Sequence, residues 1–173
     1  MKKSVTCLVF ALALAGCNTT SQQSPQIDTA PFDPKAAAYI KTQGTGRIEG
    51  HAFLRKPEGG VMMAAGEFVR LVPATPYARN RFAKLYNGGK FVAAHQIPQV
   101  PADPTYTDYT RLVKAESSGR FAFDNVAPGQ YFIATQIIIK PEAGGPAKGG
   151  AFFENVSLTG KEAEPVKVIV NGN

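Results

Sequence analysis

The sequence predicts an all-β protein: a single antiparallel β-sandwich of about seven strands, with one long loop insertion that can hold a short helix. Three observations carry this expectation. Short stretches alternate apolar and polar residues with the period of two that places one face of a strand on a core. Turn signals built from Gly, Pro, Asn and Ser recur between those stretches. No long stretch sustains the 3.6-residue period of a helix.

Gly46 to Leu54 opens the series, with Ile48, Gly50, Ala52 and Leu54 on one face and Arg47, Glu49, His51 and Phe53 on the other. That pattern suits a half-buried antiparallel strand. Glu67 to Val72 alternates weakly, with Val69 and Leu71 inward. Leu112 to Ala115 leads into the turn Ser117-Ser118-Gly119, and Arg120-Phe121-Ala122-Phe123 resumes the alternation. Asn125 to Gly129 is a second turn, in which Pro128-Gly129 offers a positive φ at the glycine. Gln130 to Thr135 and the apolar Ile137-Ile138-Ile139 follow. Phe152 to Leu158 and Val166 to Val170 complete the set, the latter with Val166, Val168 and Val170 facing one way and Lys167 and Ile169 the other. Phe121, Phe123, Val126, Tyr131 and Ile133 are expected to converge on one core face. Gly59-Gly60, Gly88-Gly89, Gly144-Gly145 and Gly149-Gly150 read as loops. Between Thr75 and Asn87, Tyr77, Arg81, Lys84 and Leu85 fall at mixed spacing, which allows one short helix.

The N-terminus is of another kind. Met1-Lys2-Lys3 is a short basic segment, and the apolar run from Val5 to Leu14 is about half the roughly 20 residues that a spanning helix needs. Its flanks match an export signal. Leu14-Ala15-Gly16-Cys17 resembles the lipobox of bacterial lipoproteins, with a large aliphatic residue, two small residues and the cysteine whose thiol takes a diacylglycerol. The resemblance implies cleavage after residue 16, covalent lipid (palmitate among its acyl chains) on Cys17, and anchoring to a membrane. Asn18, rather than aspartate, favours the outer membrane of a Gram-negative cell envelope. Cys7 falls in the removed segment, so no disulfide framework is expected. Residues 17–43 read as the lipidated end and a flexible tether, polar from Asn18 to Gln26. One or two helical turns fit from Pro34 to Lys41, with Asp33 as cap and Pro34 at the first position. Residues 44–173 are the expected domain, with the insertion at about 75–110.

Beyond residue 16 the chain holds 17 Lys and Arg against 13 Asp and Glu, a net charge of +4. The cations are scattered and form no run of three, which argues against nucleic acid as a partner. Only His51 and His95 offer imidazole, and no metal-ligand spacing surrounds either. Ser117 and Ser118 sit in a turn, without a Gly-x-Ser-x-Gly elbow anywhere in the chain. No enzymatic activity, metal or cofactor is expected, the covalent lipid apart.

Ser118-Gly119-Arg120-Phe121-Ala122-Phe123, the turn Val126-Ala127-Pro128-Gly129 and Tyr131-Phe132-Ile133 resemble the carboxypeptidase regulatory-like domains. These belong to the prealbumin-like (CnaB-type, transthyretin-like) β-sandwiches. Gly46 to Ala52 is similar to that family's opening strand and Val69-Arg70-Leu71 to its second. The resemblance implies a noncatalytic sandwich, because such domains accompany zinc carboxypeptidases without containing the metal site.

The insertion holds four of the six tyrosines. Tyr77, Arg79, Arg81, Tyr86, Tyr106 and Tyr109 are its candidate binding surface, since Tyr and Arg dominate interface hot spots and long loops in compact domains are often functional. The alternative is that the segment folds back over a sheet face with its aromatics as a satellite core. The expected role is therefore a noncatalytic, membrane-anchored envelope lipoprotein that presents a sandwich for protein binding or structural support. The competing role is a carbohydrate-binding module using the Tyr-rich loop 77–109, with a glycan as partner.

Overall fold

A computed structural model describes residues 30–141 and 144–172. The signal segment, Cys17 and the polar stretch after it lie outside the described residues. In chain order the elements are α1 (Pro34–Ala37), β1 (Gln43–Arg55), β2 (Val61–Met63), β3 (Phe68–Pro73), α2 (Pro76–Tyr86), β4 (Phe91–Ala93), β5 (Arg111–Lys114), β6 (Arg120–Val126), β7 (Gly129–Ile139), β8 (Lys148–Leu158) and β9 (Val166–Gly172). Tight 3-10 turns at Ala38–Lys41, Ala94–Gln96 and Tyr106–Tyr109 complete them. The seven expected strands are all present. The two further ones, β2 and β4, have three residues each, too few for an alternation to register in sequence.

The strands form two sheets packed face to face. In the first, β1 is central: β2 and β6 run antiparallel to it along one edge, and β9 runs parallel along the other. The second has the order β4-β8-β7-β3-β5, antiparallel throughout. The inward alternation is as predicted. Ile48, Ala52 and Leu54 meet Phe121, Phe123 and Val170 from the first sheet and Val69, Leu71, Tyr131 and Ile133 from the second, all buried. Ile169, on the opposite side of β9, is 59% exposed. A β-branched or aromatic side chain suits this pleated, half-buried setting better than any helical one.

The turns show which residues the chain path requires. At the β6–β7 corner Gly129 has the expected positive φ, 155°, and Asn125 is left-handed as well, at φ 55°. Gly129 is needed for a second reason too, because a Cβ there would lie 2.5 Å from the Tyr39 ring. Tyr131 secures the corner by donating its hydroxyl to the Ala127 carbonyl at 2.8 Å. Gly149 and Gly150 lie within β8, opposite Ile138 and Ile137, and not in a loop. Gly149 has φ 89° and a Cβ would strike the Ile137 carbonyl oxygen at 2.0 Å, so the close ladder replaces the expected turn. At the 159–162 turn the Glu162 carboxylate accepts from the Thr159 amide and hydroxyl and the Gly160 amide. Those bonds, the Thr159 amide first, hold its pKa down at about 2.

The domain begins earlier than expected. Asp33 caps α1 by accepting from the Lys35 amide, and Ala37 and Ile40 are buried. Ile40 joins the inter-sheet core, and Tyr39 packs edge-on against Tyr131 while donating its hydroxyl to the Gln130 carbonyl at 2.6 Å. Residues 32–41 are therefore built into the fold and are not tether. The polar composition of residues 18–26 had masked apolar groups concentrated at Phe32, Ala37, Tyr39 and Ile40. Deleting the chain up to residue 44 is expected to lower the melting temperature by on the order of 10 °C relative to a chain beginning at residue 30, because it strips several buried groups from one end of the core. Equal melting temperatures would return residues 30–43 to the tether.

Candidate functional site

The second sheet carries apolar side chains on both faces. Strand alternation sends Val72, Phe132, Ala134, Phe153 and Ala151 outward, away from the sandwich core. Over them lies α2. Thr75 caps it by accepting from the Ala78 amide, Pro76 takes the first turn, and Asn87 closes it in the left-handed conformation at φ 48°. These are the residue types that helix ends favour. Phe82 stacks on Phe132 with centroids 4.4 Å apart and meets Phe153 edge-on at 4.9 Å. Ala78, Phe82, Tyr86, Tyr106, Val72, Phe132 and Phe153 form a second buried cluster.

Of the six candidate binding residues, Tyr77, Tyr86 and Tyr106 join this cover, and Tyr109 packs against the inter-sheet core. Tyr86 and Tyr106 are buried, and burial pushes both phenol pKa values up. The Tyr77 hydroxyl accepts from the Asp103 amide at 2.7 Å. Arg81 donates to the carbonyls of Val100 and Pro101 at 2.7 and 2.8 Å, which holds the returning loop to the helix. Arg79 donates to the Gln130 side chain at 2.5 Å. Tyr109 is half-buried beneath the Lys41 ammonium, 3.6 Å above its ring. Phe32 sits edge-on to Tyr77, Tyr106 and Tyr109 at 5.3–5.5 Å, so the N-terminal segment is the keystone of the tyrosine group. Thus part of the insertion folds back as a satellite core, while Arg81, Tyr86 and Tyr106 also border the open space beside it. Tyr86 and Tyr106 cannot stack on a ligand from where they stand.

The cover is incomplete. Between α2, the loop at 100–107 and the outer edge of the second sheet lies a cleft of about 410 Å³. Its floor is β3, β5 and β7, where Leu112, Arg70 and Ala134 stand opposite one another in the ladders. Phe68 and Leu112, both on this face, are 61% and 49% exposed. Arg70 donates to the Thr110 hydroxyl at 3.2 Å, and Glu67, Gln136 and Thr107 supply further polar groups. The buried hydroxyl of Tyr106, which also lines the cleft, has no hydrogen-bond partner among the described residues. Phe68 and Arg70 escaped the sequence reading because they lie two residues apart in an ordinary strand. The available signal was that Phe68 falls on the face opposite the buried Val69 and Leu71.

The two histidines lie elsewhere: His51 donates from Nε2 to the Ser118 carbonyl at 2.6 Å, and His95 is exposed in a 3-10 turn. Ser117 and Ser118 are exposed in the turn before β6.

The chain is similar in structure to a candidate carbohydrate binding protein from Pseudomonas aeruginosa, with a TM-score of 0.67 and 26% identity, covering 84% of this chain and all of that one. No protein-family profile matches the chain, and no curated protein sequence matches it.

Thermal melts test the placement of the insertion. Tyr106→Ala is expected to cost on the order of 3–5 kcal/mol, as for other large aromatics removed from a core. Arg81→Ala is expected to cost about 2 kcal/mol through its lost charged hydrogen bonds. Two variants that melt with the native protein would show that the segment is not a cover.

Proposed function

We propose that this protein is a noncatalytic carbohydrate-binding β-sandwich, held at the cell envelope by lipid on Cys17. The observation that carries the reading is the cleft beside α2, where exposed Phe68 shares a sheet face with Arg70 and Gln136. A saccharide ring presents an apolar C–H face and a rim of hydroxyls. An exposed aromatic surface accepts the first, and guanidinium and amide groups pair with the second. Mixed pockets of this kind, apolar with a few placed polar groups, are the common form of small-ligand sites. The likeness to a candidate carbohydrate binding protein adds support. The Gly119-x-Phe121-x-Phe123 strand and the Val126-x-Pro128-Gly129 turn support a prealbumin-like type for the sandwich. The lipobox supports the anchor, and Asn18 supports the outer membrane.

A second reading, protein binding or structural support, is favoured by the outward face of the first sheet. There Ile169 is 59% exposed on β9, and Val61, on β2 of the same sheet, is 42% exposed.

Glycan binding by the purified protein, paired with its intact mass after extraction from membranes, tests the proposal. Phe68→Ala should abolish glycan binding while moving stability by no more than about 0.5 kcal/mol, as expected of an exposed side chain. The mass should carry acyl chains on Cys17. A protein that binds no glycan refutes the binding reading, and an unmodified Cys17 refutes the anchor.

A further inference from the structure

We infer that the cleft beside α2 selects an acidic saccharide, one bearing carboxylates, over a neutral one. This rests on the carbohydrate reading above and deepens it. Two cations line the cleft, and a third stands at its rim, outside the lining. Arg70 rises from the middle of the floor, Arg81 stands in the helix wall, and Lys114 lies opposite Phe68 in the β3–β5 ladder. Glu67 is the one acidic residue in the lining. The ion pairs among the described residues are Arg47 with Glu49 and Asp124, and Lys90 with Glu154, all away from this cleft. Arg70 and Arg81 in the lining, and Lys114 at the rim, therefore have no carboxylate partner among the described residues. Arg81 is held by two backbone carbonyls, which fix its position and leave its charge uncancelled. Among the described residues, Arg70 donates only to the neutral Thr110 hydroxyl.

The geometry suits a ring with a charged substituent. Phe68 and Arg70 lie on one face of β3, two residues apart, a separation of roughly 6.6 Å along a strand. A ring stacked on Phe68 can thus direct a carboxylate toward the Arg70 guanidinium, whose planar fork matches it with two parallel bonds. Gln136 stands on the same floor and pairs with ring hydroxyls. A neutral sugar offers Arg70 only hydroxyl acceptors, and charge-assisted bonds are roughly twice as strong.

The test uses the full chain in detergent against polygalacturonate and hyaluronan, with methyl-esterified polygalacturonate and dextran as neutral counterparts. The expected result is preferential binding of the two acidic polymers, weakening as salt rises and the cleft charges are screened. Arg70→Gln should weaken acidic binding about tenfold or more, and the exposed Lys114→Gln should weaken it less while reducing its salt dependence. Equal binding of neutral and acidic polymers overturns the acidic preference and leaves the carbohydrate reading standing. Acidic binding unchanged in both variants overturns the assignment to this cleft. Binding to none of the four polymers overturns both readings.

Discussion

Phe132 and Phe153 point outward from the second sheet, side by side, and the fold cannot leave both in water. An aromatic side chain of this size buries on the order of 150–250 Å², at roughly 25 cal/mol per Å². Leaving the pair exposed would therefore forfeit several kcal/mol, a large fraction of the stability of a domain of this size. The insertion between β3 and β5 answers that demand. Its helix α2 lays Phe82 and Tyr86 on the two rings, Arg81 ties the returning loop to the helix, and Phe32 closes the tyrosine group from the N-terminal side.

One short helix cannot cover a five-stranded sheet. It shields the part of the outer face formed by β7 and β8 and leaves the β3–β5 edge open, with Phe68 and Leu112 in solvent. The cleft is therefore the remainder of a face too wide for its cover. Its inner wall is made of packed aromatics and of a loop whose carbonyls Arg81 holds. A preformed site lowers the ordering cost that any ligand would meet there.

Much of this was legible in the residues. Period-two alternation placed Ile48, Ala52, Phe123 and Val170 inward, and it separated Ile169 from them. The cap residues Thr75 and Asn87 bracketed the helix within one residue at each end. Other features were hidden by the physics of strands. Tyr131-Phe132-Ile133 and Phe152-Phe153 are continuous apolar runs, the mark of a sheet buried on both faces, and that mark identifies which face the insertion covers. The arginines and tyrosines of the insertion looked like a recognition surface because hot-spot chemistry and satellite-core chemistry use the same side chains. Only three-dimensional partners separate the two: Arg81 has carbonyls and Tyr77 an amide. Phe68 and Arg70 had no motif to announce them, since exposure of a strand face depends on what fails to pack there.

The most direct test of this account is a backbone amide map of an acidic oligosaccharide titrated into the protein, read by ¹H–¹⁵N spectra. The perturbed amides are expected on residues 67–70, 111–114 and 134–136, with α2 following weakly. Perturbations confined to β1, β9 and their outward face, or none on β3, would contradict it.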